Sequence, residues 1–274
     1  MKYIPGAFFI AILFSIWGNK IYSKTNDFIT TKGAEMVDAQ GRSFIMKGVN
    51  IGNWLVPEGY MFHFKATNAP RQINEVIQEL LGPEDAKAFW AKYLDNYITQ
   101  EDIKYLKSTG MNSIRLPFHY KLFTTEDYLG TNDDTRGFKY IDSVVKWCRQ
   151  EGLYVLLDMH CAPGGQTGDN IDDSHGYPFL YQSESLQLQT EQLWKKIALH
   201  YNNEPTVIGY DLLNEPIAHY FDASQLWRTE EHVFIHEVQG TSNFPGLADA
   251  TTLRKLEDGR NSLSDHGDYL SAIW

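Results

Sequence analysis

The chain has 274 residues, 43% hydrophobic and 14% aromatic, enough to bury one large core and too apolar for a disordered polymer. A formal net charge of −11 excludes a surface built to neutralise phosphates, because the clustered Lys and Arg that nucleic-acid binding needs are absent. Neutral polymers remain open: 16 tyrosines and 7 tryptophans suit stacking on sugar rings as well as core packing.

Lys2 precedes an apolar run from Gly6 to Trp17, the pattern of a signal peptide and too short for a membrane span of about 20 residues. Secretion is therefore expected, with residues 1–23 removed by a cut after Ile21-Tyr22-Ser23. An uncleaved anchor is the alternative, and no membrane contact is expected beyond this segment.

From Val37 to Phe44 turn residues lie between apolar flanks, which reads as a hairpin, and Ile45–Val49 forms a first core strand leading into Asn50-Ile51-Gly52-Asn53-Trp54. A long connection follows, Pro57 to Thr99, with helices expected over Gln72–Leu81 and Pro83–Tyr97. Its length marks a lid or a cleft wall, since ordinary strand-to-helix loops are far shorter. Tyr60, Phe62, His63 and Phe64 on it either face a ligand or pin the loop.

Thr99-Gln100-Glu101-Asp102 starts the next helix in capping fashion and Gly110 ends it. Strands are then expected over Met111–Leu116, Leu153–His160 and Val207–Leu213, separated by helices over Tyr140–Glu151 and Ser185–Tyr201. Strands alternating with helices predict a parallel sheet with right-handed crossovers. Cys148 falls near a helix end and Cys161 just beyond the far end of the strand that follows. An eight-residue strand spans roughly 26 Å, well beyond the roughly 7 Å at which two Cα atoms can be bridged. Two free thiols are expected.

Polar residues gather at the strand ends: Asn53-Trp54, then Arg115-Leu116-Pro117-Phe118-His119-Tyr120, then His160-Cys161-Ala162-Pro163-Gly164, then Asn214-Glu215-Pro216. In an eight-stranded barrel these ends converge on the face that carries the chemistry. The earlier Asn203-Glu204-Pro205 precedes its strand and belongs to the opposite floor. A guanidinium inside a strand needs a carboxylate nearby, and Arg115 either serves the cleft or pairs with a floor acid such as Asp158. His160 lacks companions at metal-ligand spacing, so neither a metal nor another cofactor is expected.

Four ordered stretches, Lys47–Leu55, Asn112–Pro117, Leu156–His160 with Ala162-Pro163-Gly164, and Leu213-Asn214-Glu215-Pro216, resemble family 5 of the glycoside hydrolases, a family of retaining (β/α)₈ TIM-barrel enzymes. The first stretch and the Gly164-Gly165-Gln166-Thr167-Gly168 loop are most similar to its β-1,3-glucanase and β-glucosidase branches. The resemblance implies hydrolysis of O-glycosidic bonds in β-glucans or β-glucosides by double displacement. In that scheme Glu215 is the general acid/base, Asn214 binds the sugar 2-hydroxyl, Arg115 orients the nucleophile and His160 contacts the sugar. Trp54, His119 and Tyr120 complete the expected substrate-binding set.

Such enzymes use two carboxyl groups about 5 Å apart, one protonating the leaving oxygen and one attacking the anomeric carbon. The resemblance places the second on a seventh strand, and too few residues follow Glu215 for three further strand–helix crossings. The expectation is an N-terminal half-barrel, residues 24–222 with strands one to four, followed by a divergent tail, 223–274, and inactive in this form. A non-catalytic carbohydrate-binding fragment and a metal-using barrel are the competing possibilities.

Overall fold

The computed structural model describes residues 28–168 and 170–216. The expected signal segment and tail lie outside the described residues.

The chain opens with a two-stranded antiparallel hairpin, β1 (Thr30–Lys32) and β2 (Glu35–Val37). The turn expected between Val37 and Phe44 follows it, closed by a single Val37–Ser43 bridge. Asp38 Oδ1 organises that turn, accepting from the backbone N of Gln40 at 3.0 Å and of Arg42 at 2.9 Å. A four-stranded parallel sheet then runs in chain order: β3 (Gly48–Asn50), β4 (Ser113–His119), β5 (Tyr154–Cys161) and β6 (Val207–Asp211).

Helix α1 (Pro70–Leu81) and α2 (Pro83–Asn96) occupy the long connection, each with proline in its first turn. In α3 (Gln100–Ser108), Asp102 Oδ2 accepts from both the backbone N and the hydroxyl of Thr99 at 2.7 Å, so the predicted cap is present. α4 (Arg136–Glu151) and α5 (Glu184–Tyr201) are the crossovers from β4 to β5 and from β5 to β6. α4 buries Tyr140, Ile141, Val144, Val145 and Cys148, and α5 buries Leu193, Trp194, Ile197, Ala198 and Tyr201. Both sets repeat at helical spacing, which puts one apolar stripe of each helix in the core. Gly152, in the left-handed conformation with φ 71°, ends α4 and turns the chain into β5. β5 is covered along nearly its whole length, and its apolar run from Tyr154 to Leu157 gives way to Asp158 and His160 toward its C-terminal end.

The fourth strand ends at Asp211, two residues earlier than expected. From there the backbone leaves the ladder: Leu212 O accepts from Trp194 Nε1 at 3.0 Å, and Asn214 N donates to Met159 O at 3.2 Å. In the long connection Phe62 stacks on Phe64 with centroids 5.3 Å apart and tilts against Tyr93, whose hydroxyl donates to the Asn53 carbonyl. Phe62 pins the loop, while Tyr60 is exposed.

Candidate active site

Arg115 projects from the middle of β4 toward the end of β6. Its Nη2 lies 2.7 Å from Asp211 Oδ2, 3.1 Å from Asp158 Oδ2 and 2.8 Å from Asn214 Oδ1, and its Nε lies 3.0 Å from Asp211 Oδ2. Two nearly dry carboxylates thus share one guanidinium, leaving an excess of negative charge in a region that solvates it poorly. The excess is relieved by protons. Burial, reinforced by the Asp158 charge and only partly opposed by Arg115, pushes the Asp211 carboxyl up to about 6. On His160, burial acts downward, but the hydrogen bond and charge of Asp158 together with Glu58 outweigh it, and the net direction is up.

The Asn214 amide is oriented from both sides. Its Oδ1 accepts from Arg115, so its Nδ2 faces His160 Nε2 at 3.4 Å, and His160 Nδ1 lies 2.8 Å from Asp158 Oδ2. This chain of contacts links β4, β5 and the segment just past β6 and stops one residue short of Glu215, which is exposed and holds a left-handed φ of 44°. A non-glycine residue in that region carries strain that its surroundings must hold in place.

Arg115, His160 and Asn214 therefore meet beside Glu215. Trp54 and His119 do not join them. Trp54 is 1% exposed, donates Nε1 to the Leu94 carbonyl at 2.9 Å and meets Tyr140 edge-on, so it packs in the core. The turn at Asn53, φ 57°, stands between the strand and this side chain. His119 is fully buried: Nδ1 accepts from Lys121 N at 3.1 Å, which places the proton on Nε2, 3.2 Å from Asp173 Oδ2. Burial lowers its pKa, so the ring stays neutral, holding the loop around Asp173 with no edge free for a ligand. Tyr120 is half-buried on a short turn after β4 and gives its hydroxyl to Glu126 Oε2 at 2.6 Å.

Asp211 and Glu58 escaped the sequence reading. Glu58 is buried, with Oε1 3.8 Å from His160 Nε2; desolvation raises its pKa, His160 and a Tyr60 hydrogen bond act against this, and the Glu215 charge adds to it. Its signal was a lone acid between Pro57 and Gly59 just past a strand-end motif. Among the described residues no group of three or more His, Cys, Asp or Glu could hold a metal ion.

An α/β chain that gathers polar groups at the C-terminal ends of parallel strands is of the class that places ligand chemistry there. This one belongs to the cellulase family, glycosyl hydrolase family 5, whose model matches residues 73–240. It is 33% identical over 191 residues to a beta-xylosidase of Phanerodontia chrysosporium, an alignment covering 69% of this chain and 39% of that protein. It is 32% identical over 198 residues to a glucan 1,3-beta-glucosidase of Lachancea kluyveri, covering 66% and 44%. The chain thus spans about two fifths of the length of the curated relatives it matches. Among solved structures, rutinosidase from Aspergillus niger superposes with a TM-score of 0.55 at 18% identity, covering 82% of this chain and 60% of that one. An endogalactoceramidase gives 0.52 at 19%, covering 85% and 51%. These two likenesses concern the fold alone.

Proposed function

We propose that this chain carries the proton-donating side of a retaining β-glycosidase acting on β-glucans or β-glucosides. Glu215 protonates the glycosidic oxygen, Asn214 hydrogen-bonds the neighbouring sugar hydroxyl, His160 and Glu58 contact the sugar, and Arg115 with Asp211 fixes Asn214. The observation that carries this is the Arg115–Asn214–His160 chain of contacts beside an exposed Glu215. The Gly6–Trp17 run supports secretion, which suits a polymeric substrate outside the cell.

The test is leaving-group dependence. In a longer protein that carries this chain together with the second carboxylate, Glu215→Gln loses most turnover on unactivated β-glucosides and far less on substrates with good leaving groups, because only poor leaving groups need the proton. Glu204→Gln, at the floor, leaves both unchanged. Equal turnover of Glu215→Gln and the parent on poor leaving groups refutes the assignment. NMR of the first-formed anomer decides between retention and inversion.

A further inference from the structure

Gln166 is fully buried, and both ends of its side-chain amide are engaged. Oε1 accepts from Ala162 N at 3.1 Å, and Nε2 donates to the carbonyls of His160 at 2.8 Å and Asn214 at 2.9 Å. Those two residues stand at the ends of β5 and β6, past Asp158–Asp211, the last pair of that ladder. One planar group with two N–H bonds at a fixed angle therefore sets the spacing where the sheet no longer does.

The amide is itself held. Asp172, 1% exposed, accepts from the backbone N of Gln166 and of Thr167 on Oδ2 at 2.5 and 2.6 Å, and from Ser174 N on Oδ1 at 3.0 Å. The loop winds around this carboxylate closely enough that a Cβ at Gly165, φ 75°, would collide with the Ser174 side chain. With Trp194 on Leu212 O and Met159 O on Asn214 N, every peptide leading into Glu215 is anchored, and Gln166 supplies the anchor nearest to it.

We propose that Gln166 is a positioning residue for proton delivery: by holding the Asn214 carbonyl it fixes the left-handed backbone of Glu215 and hence the direction of its carboxyl group. This rests on the assignment of Glu215 as the acid. Misplacement by about 1 Å can cost on the order of 10²-fold in rate.

The experiment compares Gln166→Met and the near-isosteric Gln166→Glu with the parent and with Glu215→Gln, activity being read in the longer protein that supplies the second carboxylate and amide exchange in the chain itself. For the Gln166 variants kcat on poor leaving groups falls by about 10- to 100-fold, kcat on good leaving groups falls by about 3-fold or less, KM stays within about 3-fold, and the limb of the pH profile set by the acid moves. Independently of activity, exchange of the Asn214 amide, which donates to Met159 O, accelerates at least about 10-fold while β4 and β5 keep their protection. Equal losses on both substrate classes, unchanged exchange at Asn214, or failure of both variants to fold overturns the proposal and makes Gln166 a packing residue. If Glu215→Gln itself shows no leaving-group selectivity, the assignment of the acid has failed instead, and the exchange measurement still reports whether Gln166 holds that backbone.

Discussion

Arg115 and Asp211 are 96 residues apart in the chain, yet Nη2 of one lies 2.7 Å from Oδ2 of the other, and the pair spans the sheet from its second strand to its fourth. Removing the cation strands two buried carboxylates. Arg115→Leu is expected to destabilise the fold by about 3–5 kcal/mol, whereas the double change Arg115→Leu/Asp211→Leu recovers part of that loss. Urea unfolding of the two variants measures this; equal stability of single and double contradicts it.

Asp211 also ties stability to pH. Its folded pKa of about 6 exceeds the ordinary aspartate value, so the folded chain keeps a proton that the unfolded chain has already released. The contribution is present at low pH and declines between about pH 4 and pH 6, by at most about 1.4 kcal/mol per pH unit. Asp211→Asn is expected to abolish this decline. Melting curves taken across that interval would show it, and parallel pH dependences of variant and parent would count against it.

His160 titrates under two carboxylates. Its raised pKa means that the stability contributed by the protonated ring is complete below about pH 6.5 and is lost as pH rises through the folded value. Glu58→Gln deletes a negative charge 3.8 Å from Nε2 and is expected to lower the His160 pKa, closing that window from above. A histidine NMR titration reads it directly; no movement of the His160 signal separates the two groups.

Trp54 tests the distinction between core and cleft. Trp54→Phe loses the hydrogen bond to Leu94 O, about 1 kcal/mol, plus the volume it vacates, and Trp54→Ala costs about 3–5 kcal/mol. In the longer protein that supplies the second carboxylate, KM of Trp54→Phe for a β-glucoside is expected to match the parent. A several-fold rise in KM in a variant of normal stability would return Trp54 to the ligand face.

The helices and strands were legible where side-chain periodicity and punctuation agree, as with Gly152 after α4 or Thr99 and Asp102 at α3. Arg115, His160 and Asn214 were legible because polar groups at the ends of apolar runs have no packing reason to be there. Asp211 was hidden inside such a run, and only the strand order reveals that Arg115 reaches it. Glu58 lay in a loop without periodicity. His119 closes β4, whereas Trp54 lies in the turn beyond the end of β3, and which way each points depends on the left-handed backbone at Asn53 and on the register shift between Phe118 and His119. Neither is written in a hydrophobic pattern.

Cys148 and Cys161 are both free and fully buried, as the end-to-end geometry of helix and strand required. Burial pushes the Cys148 thiol up to about 12 and that of Cys161 well above its ordinary value, so neither offers a thiolate to a reagent while the packing around it is closed. Each therefore acts as a clock. Alkylation of Cys148 times the lifting of α4 from the sheet, and alkylation of Cys161, whose Sγ meets the Ile171 carbonyl at 3.7 Å, times the detachment of the loop from the end of β5. Two peptides from one digest thus report separately how often the outer layer and the cleft rim breathe.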